Sequence, residues 1–293
     1  MHLKRCCTKV SDSKLGEGCS KLNEKQAEWY DQLYSGEKFW STFAGEDAAH
    51  ILDAGLRYLR KRTGINILEV GCGVGAFLTE ARRNGISDLV GTDLSSAALH
   101  KAKSSLNDSE FVVADGLHLP FKEKVFEIVA CLGTLEHFDD PSQGAREFYR
   151  TLTIGGSCLV VVPNPYFAYT IVCKVLGRYR YQPIEHDLSV SNWENCLQGA
   201  GFVVLNVAVS NPRSDCMLTA KSIPMLAKLY PTAKPLLSLY DAIRHHVPKL
   251  FSYHIMFVTR RIGTGMKHGN SLGTALKCKN ALTQRGKLAG LSH

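Results

Sequence analysis

The sequence predicts an α/β domain built on a doubly wound, mostly parallel sheet. Three observations carry that reading. Short apolar runs alternate with helical patterns between residues 65 and 162. The first of these runs ends in a glycine-rich turn, and an acidic residue stands at the end of each of the next two. Strands separated by helices must pair in parallel through crossovers, which places helices on both faces of one sheet.

In order along the chain, residues 1–22 read as a loose basic leader. Lys21–Leu59 has a helical pattern, with Trp29, Tyr30, Tyr34, Phe39 and Trp40 in its first part. Ile65–Val70 is a buried strand, since it is apolar, short and closed by glycines. Ala76–Asn84 is a helix ended by Gly85. Asp88–Thr92 is a strand, and Ser95–Leu106 a helix with Ser95 as its N-cap. Phe111–Ala114 and Val125–Leu132 are strands, Pro141–Thr151 is a helix and Gly156–Val162 a fifth strand. Beyond Pro163 the rhythm loosens. Ser191–Gly199 is helical, while Phe202–Val209 and Tyr253–Arg260 are strand-like. Between those two strands, 210–251 is apolar with five prolines and reads as a helical insert or cap. The domain thus spans 23–262, followed by a basic tail, 263–293, expected to be disordered.

The net charge of +8 first suggests nucleic acid, but its location argues otherwise. The leader carries +3 and the tail +5, which leaves 25 basic and 25 acidic residues in the body. A nucleic-acid-binding body would carry a basic face of its own, so no nucleic-acid partner is expected. No apolar run reaches the roughly 18 residues of a membrane span, and the first residues lack an apolar signal core. None of the ten cysteines forms a C-x-x-C pair. Cys72, Cys131 and Cys158 fall in or beside apolar strands as small hydrophobes, in keeping with a reducing, cytoplasmic location.

The sharpest local signal is Glu69-Val70-Gly71-Cys72-Gly73-Val74-Gly75, between a strand and a helix. Glycines there let the backbone turn through positive φ and approach a ligand closely. Asp93 ends the next strand, where a carboxylate can accept from a ribose diol. Asp115 follows the third strand in Ala-Asp-Gly-Leu, where it can accept from an adenine amino group. Gly71, Gly73 and Ala76 alone also suit a dinucleotide.

Taken together, Glu69–Gly75, Asp93, Asp115, Leu135-Glu136-His137 and the Gly155-Gly156 turn resemble the class I S-adenosylmethionine-dependent methyltransferases, near their ubiquinone and small-molecule group. The resemblance covers roughly residues 25–210 and implies a Rossmann-like, seven-stranded sheet with Tyr253–Arg260 as its antiparallel last strand. It implies S-adenosyl-L-methionine as cofactor and S-adenosyl-L-homocysteine as product. Gly71, Gly73 and Gly75 would underlie the methionine portion, with Glu69 steadying the loop or the amino group. Asp93 would take the ribose and Leu94 would pack on adenine, with Asp115, Gly116 and Leu117 around the adenine amino group. Leu132–Thr134 would line the sulfonium side, and Tyr30 would close over the cofactor from the N-terminal helix.

Methyl transfer to a hydroxyl needs a base, and His186 and His137 are the candidates. His186 is expected to face the acceptor beside Tyr179 and Tyr181, with His137 deeper, near the cofactor. In related ubiquinone O-methyltransferases an E-x-x-E-H pattern holds a metal. Here Gly133 replaces its first Glu, so no metal is expected. The expected acceptor is small or lipid-like and partly apolar, with oxygen favoured over nitrogen or carbon. The 210–251 insert would cover it and also suits peripheral membrane contact. The rival readings are a dinucleotide-dependent oxidoreductase and a non-catalytic module of the same fold. Asp115 and the Leu-Glu-His loop weigh against the first, and the intact glycine loop against the second.

Overall fold

In the computed structural model the described residues are 21–35, 46–57, 64–167, 184–209 and 254–263. The leader before Lys21, the 210–251 insert, Tyr179, Tyr181 and the tail beyond Gly263 lie outside them.

Seven strands form one sheet in the order β3-β2-β1-β4-β5-β7-β6. They are β1 (Asn66–Val70), β2 (Asp88–Asp93), β3 (Glu110–Val113), β4 (Phe126–Leu132), β5 (Leu152–Pro163), β6 (Phe202–Val209) and β7 (His254–Arg261). Pairing is parallel from β3 through to β5, and β7 runs antiparallel between β5 and β6. The helices are α1 (Lys21–Ser35), α2 (Glu46–Leu56), α3 (Ala76–Arg83), α4 (Ser96–Ser105), α5 (Pro141–Thr151) and α6 (Val190–Gly199). Within the helical pattern expected over Lys21–Leu59, the described residues form α1 and α2.

Side-chain alternation divides the strands between two cores. Ile67, Ile128, Ala130, Leu159 and Val258 pack with Phe77, Leu78 and Leu99 on one face. Leu68, Val129, Cys131, Val160 and Phe257 pack with Phe148, Trp193 and Leu197 on the other. Cys72, Cys131 and Cys158 are free thiols buried in these layers.

The helix starts follow the sequence signals. Ser95 Oγ accepts from Ala98 N, and Asp140 accepts from Ser142 N and Gln143 N ahead of Pro141. β5 begins four residues earlier than the apolar run suggests. Leu152 pairs with Phe126, and the register then shifts before Ile128 pairs with Ser157. The left-handed Gly155 (φ 85°) lies in this irregular stretch. Arg261 holds that corner: Nη1 donates to Tyr149 O, Arg150 O and Leu152 O at 2.6, 2.9 and 2.7 Å. Tyr149 O and Arg150 O are among the last carbonyls of α5, which have no acceptor role left within the helix, and Lys124 N also donates to Arg150 O at 2.9 Å.

Trp193 is 1% exposed and is among the largest fully buried side chains. Trp193→Ala should cost about 3–5 kcal/mol, read as a lower urea midpoint. Ile154, 61% exposed beside the β5 irregularity, should change stability by no more than about 0.5 kcal/mol on substitution by Ala.

Candidate active site

The carboxyl ends of β1, β2, β3 and β4 meet along one edge of the sheet. After Val70 the chain turns through Gly71, Gly73 and Gly75, with φ of 71°, 51° and 75°. An L side chain is strained at such angles. Space is closed as well: a Cβ on Gly71 would stand 2.3 Å from Thr134 Cγ2, and one on Gly73 would stand 2.6 Å from the Tyr34 hydroxyl. Gly71 N and Cys72 N donate to Thr92 O at 2.8 and 2.9 Å, pinning the loop to the end of β2.

Asp93 is buried at that strand end. Its Oδ2 accepts from Gly73 N at 2.8 Å and its Oδ1 from Ser95 N at 2.9 Å. Burial pushes its pKa up to about 6, against the pull of those two N–H groups. Leu94 beside it is half-buried. Glu69 is buried with Oε2 lacking any partner. Burial, and then the charge of Asp93, hold it well above the usual carboxylate range. Asp115 Oδ1 accepts from Leu117 N at 2.9 Å, closing a turn in which Gly116 and Leu117 are buried. Leu132 belongs to the core layer with Ile128 and Ala130.

α1 lies across this edge. Asp31 Oδ1 accepts from Ser95 Oγ at 2.6 Å and from Ala97 N at 3.1 Å, so a carboxylate from another helix caps α4. Lys101 Nζ donates to Tyr34 O, and Gln26 Nε2 donates to His137 O at 2.9 Å. Tyr30 is half-buried and packs edge-on to Trp29. Burial raises its hydroxyl pKa, and the charges of Glu136, Asp93 and Glu185 add to that rise. Of the α1 residues at this edge, the sequence reading names Tyr30 as a cofactor contact but not Gln26, Asp31 or Tyr34. The available signal was the four-residue spacing of 26, 30 and 34, which puts them on one helix face.

After β4 the chain forms a short 3-10 turn, Leu135–His137. Glu136 is 2% exposed and its Oε2 has no partner. Burial, with Glu185 adding its charge, pushes its pKa up to about 8. Its Oε1 stands 3.6 Å from His137 Nε2. His137 Nδ1 lies 2.6 Å from Ile184 O. A carbonyl only accepts, so Nδ1 carries the proton and Nε2 the lone pair. Burial lowers the His137 pKa, partly offset by that hydrogen bond, which leaves a neutral imidazole at pH 7. His186 reaches the same turn: its backbone N donates to Glu136 O at 2.8 Å and its Nε2 to Phe138 O at 2.9 Å. Each ring thus donates with one nitrogen and keeps a lone pair on the other, Nδ1 in His186 and Nε2 in His137.

These residues suit a cofactor with a cationic centre and an adenosyl group. The glycine cradle admits no side chain of its own, and a buried carboxyl lies beneath it with one oxygen unpaired. Separate carboxylates stand at the ends of β2 and β3. Glu69, Gly71, Gly73 and Gly75 would hold the amino-acid portion, Asp93 and Leu94 the ribose side, and Asp115–Leu117 the adenine.

A buried carboxyl with a raised pKa binds its proton more tightly when folded, so its contribution to stability is complete below the unfolded value and disappears as pH rises through the folded one. For Glu136 that window runs from 4.5 to about 8. Thermal melts from pH 5 to 8 should show wild-type stability falling relative to Glu136→Gln. Parallel curves would mean that Glu136 does not retain its proton in the folded protein.

Residues 68–160 match the family described as "Methyltransferase domain". The chain is 31% identical over 185 residues to phosphoethanolamine N-methyltransferase 3 of Arabidopsis thaliana, covering 59% of this chain and 35% of that protein. It is 31% identical over 109 residues to a ubiquinone biosynthesis O-methyltransferase of Psychrobacter arcticus, covering 34% of this chain and 42% of that one. The chain therefore spans less than half the length of either relative. In fold it is similar to Haemonchus contortus phosphoethanolamine N-methyltransferase 2, solved in complex with S-adenosyl-L-methionine. The TM-score is 0.55 at 18% identity, covering 84% of this chain and 61% of that one. Sheet order, glycine loop and strand-end carboxylates agree with these likenesses, and residues 68–160 are the part of the chain that matches the methyltransferase domain.

Proposed function

We propose that the protein binds S-adenosyl-L-methionine along this edge and methylates a small, partly apolar acceptor, at oxygen in preference to nitrogen or carbon. The relatives include both N- and O-methyltransferases, so the preference for oxygen rests on the site itself. The observation that carries it is His137: a buried, neutral imidazole whose tautomer is fixed by Ile184 O and whose Nε2 lone pair lies beside the carboxyl of Glu136.

The bound cofactor would supply an electrophilic methyl group on a cationic sulfur, for transfer in line to the acceptor with a neutral thioether as leaving group. The glycine loop and Asp93 fix where that group can lie, because Gly73 N, Ser95 N and the Asp93 carboxylate form one bonded unit. α1 covers the loop through Tyr34 and Asp31. His137 Nε2 takes the proton of an acceptor hydroxyl, and the imidazolium that results faces Glu136 Oε1, 3.6 Å away. From sequence, His186 has the better claim to be the base. The deeper burial of His137 and the Glu136 carboxyl beside its Nε2 favour His137 instead. The apolar 210–251 segment is our choice to cover the acceptor.

The first experiment is a methyl-transfer screen of small hydroxyl, amine and carbon acceptors with radiolabelled cofactor. For a hydroxyl acceptor, His137→Asn, whose amide can still donate to Ile184 O, should lower turnover by roughly 10²–10⁴-fold, with cofactor affinity nearly unchanged by calorimetry. Full turnover in that variant would remove His137 from the chemistry and point to an acceptor that needs no base.

A further inference from the structure

Phe138 ends the turn after β4, and its ring fills the space over two glycines from separate elements. A Cβ at Gly116 would stand 2.2 Å from Phe138 Cζ, and one at Gly144, within α5, would stand 2.4 Å from Cδ2. Neither glycine has a positive φ, so it is the ring, not the backbone, that demands glycine at both places. The ring also meets Phe148 of α5 edge-on, at 6.1 Å between centroids.

The backbone that carries this ring is held from the acceptor side. His186 Nε2 donates to Phe138 O, His186 N donates to Glu136 O, and Ile184 O accepts from His137 Nδ1. Residues 184–186 thus grip the 135–138 turn at three points, and the turn's last side chain is wedged against the Asp115–Leu117 turn.

We propose that Phe138 is a positioning residue for the cofactor: its ring sets the seat of the Asp115–Leu117 turn, and His186 holds the ring in place. The 184–186 segment and the adenine-side turn then move as one body, although 69 positions separate Asp115 from Ile184. A change at His186 is therefore felt as cofactor affinity. The proposal rests on the reading of residues 115–117 as the adenine turn.

The test is calorimetric titration of the full-length protein with S-adenosyl-L-homocysteine, with a thermal melt for each variant. Phe138→Leu, which shortens the wedge but leaves the turn apolar, should weaken binding about tenfold. His186→Ala should weaken it in the same direction, and His186→Gln, whose amide can take the place of Nε2, should restore it. Gly116→Ala drives a Cβ into the ring and should weaken binding. The same substitution in the Phe138→Leu background should weaken it less, because the obstructing Cζ is gone. Melting temperatures that hold steady while affinity falls separate positioning from loss of fold. If wild type binds and Phe138→Leu binds equally well, or if the Gly116 and Phe138 effects simply add, the wedge is refuted and the cofactor reading stands. If wild type itself does not bind, the cofactor reading fails and the proposal falls with it.

Discussion

The candidate site depends on one buried carboxylate. Asp93 accepts from Gly73 N with one oxygen and from Ser95 N with the other, so the glycine loop and the start of α4 are fixed by a single side chain. Three left-handed glycines make a loop that can adopt its turn but nothing to hold it there. Asp93 and the two bonds to Thr92 O supply the hold. Hydrogen bonds to an ionised group are among the stronger ones, about 1.5–3 kcal/mol each, but burial opposes ionisation here and keeps the pKa of Asp93 near 6. The residue is poised between stabilising the loop and remaining available to a ligand hydroxyl, since each oxygen has a second lone pair.

α1 extends the same unit. Its Asp31 caps α4 at Ser95 Oγ and Ala97 N, one residue either side of the helix start, and its Tyr34 rests on Gly73. The helix that covers the loop is thus secured to the element that Asp93 orients. Gln26 makes a third attachment, to His137 O, near the other end of α1. The cover touches both the cofactor loop and the turn that carries the candidate base, so any motion that opens one must disturb the other. That arrangement suits a reaction in which alignment supplies most of the rate.

Much of the fold was legible because parallel strands buried on both faces write themselves as plain apolar runs. β1, β2 and β4 were found to within a residue or two for that reason. β5 was not, because its first residues reach Phe126 past a register shift that no periodicity records. The glycine loop and the strand-end acids were visible as a pattern, since their spacing is local. What escaped were contacts made across long separations. Arg261 finds the end of α5 from more than a hundred residues away. Asp31 caps a helix 65 residues further on. Phe138 imposes glycine on positions 116 and 144, and no single sequence shows that those glycines answer to a ring. The bond from His186 Nε2 to Phe138 O, which ties the segment before α6 to the turn after β4, is likewise shown only by coordinates.

The electrostatics of the edge point in one direction. Glu69, Asp93 and Glu136 are all buried at the ends of parallel strands, and each has its pKa raised. Asp93 adds to the rise at Glu69, Asp31 to that at Asp93, and Glu185 to that at Glu136, so the charged neighbours that raise them are themselves acids. Left alone, such groups relieve their desolvation by keeping protons. A cation placed among them reverses the balance, because each ionised carboxyl then has a partner. Proton release and cation binding are therefore linked along this edge, most strongly where Asp93 and Glu136 titrate, between about 6 and about 8. A ligand that loses its positive charge on reaction gives up that attraction while keeping every contact to its neutral parts. On the proposed reading, the edge would thus favour a sulfonium donor over its neutral thioether product.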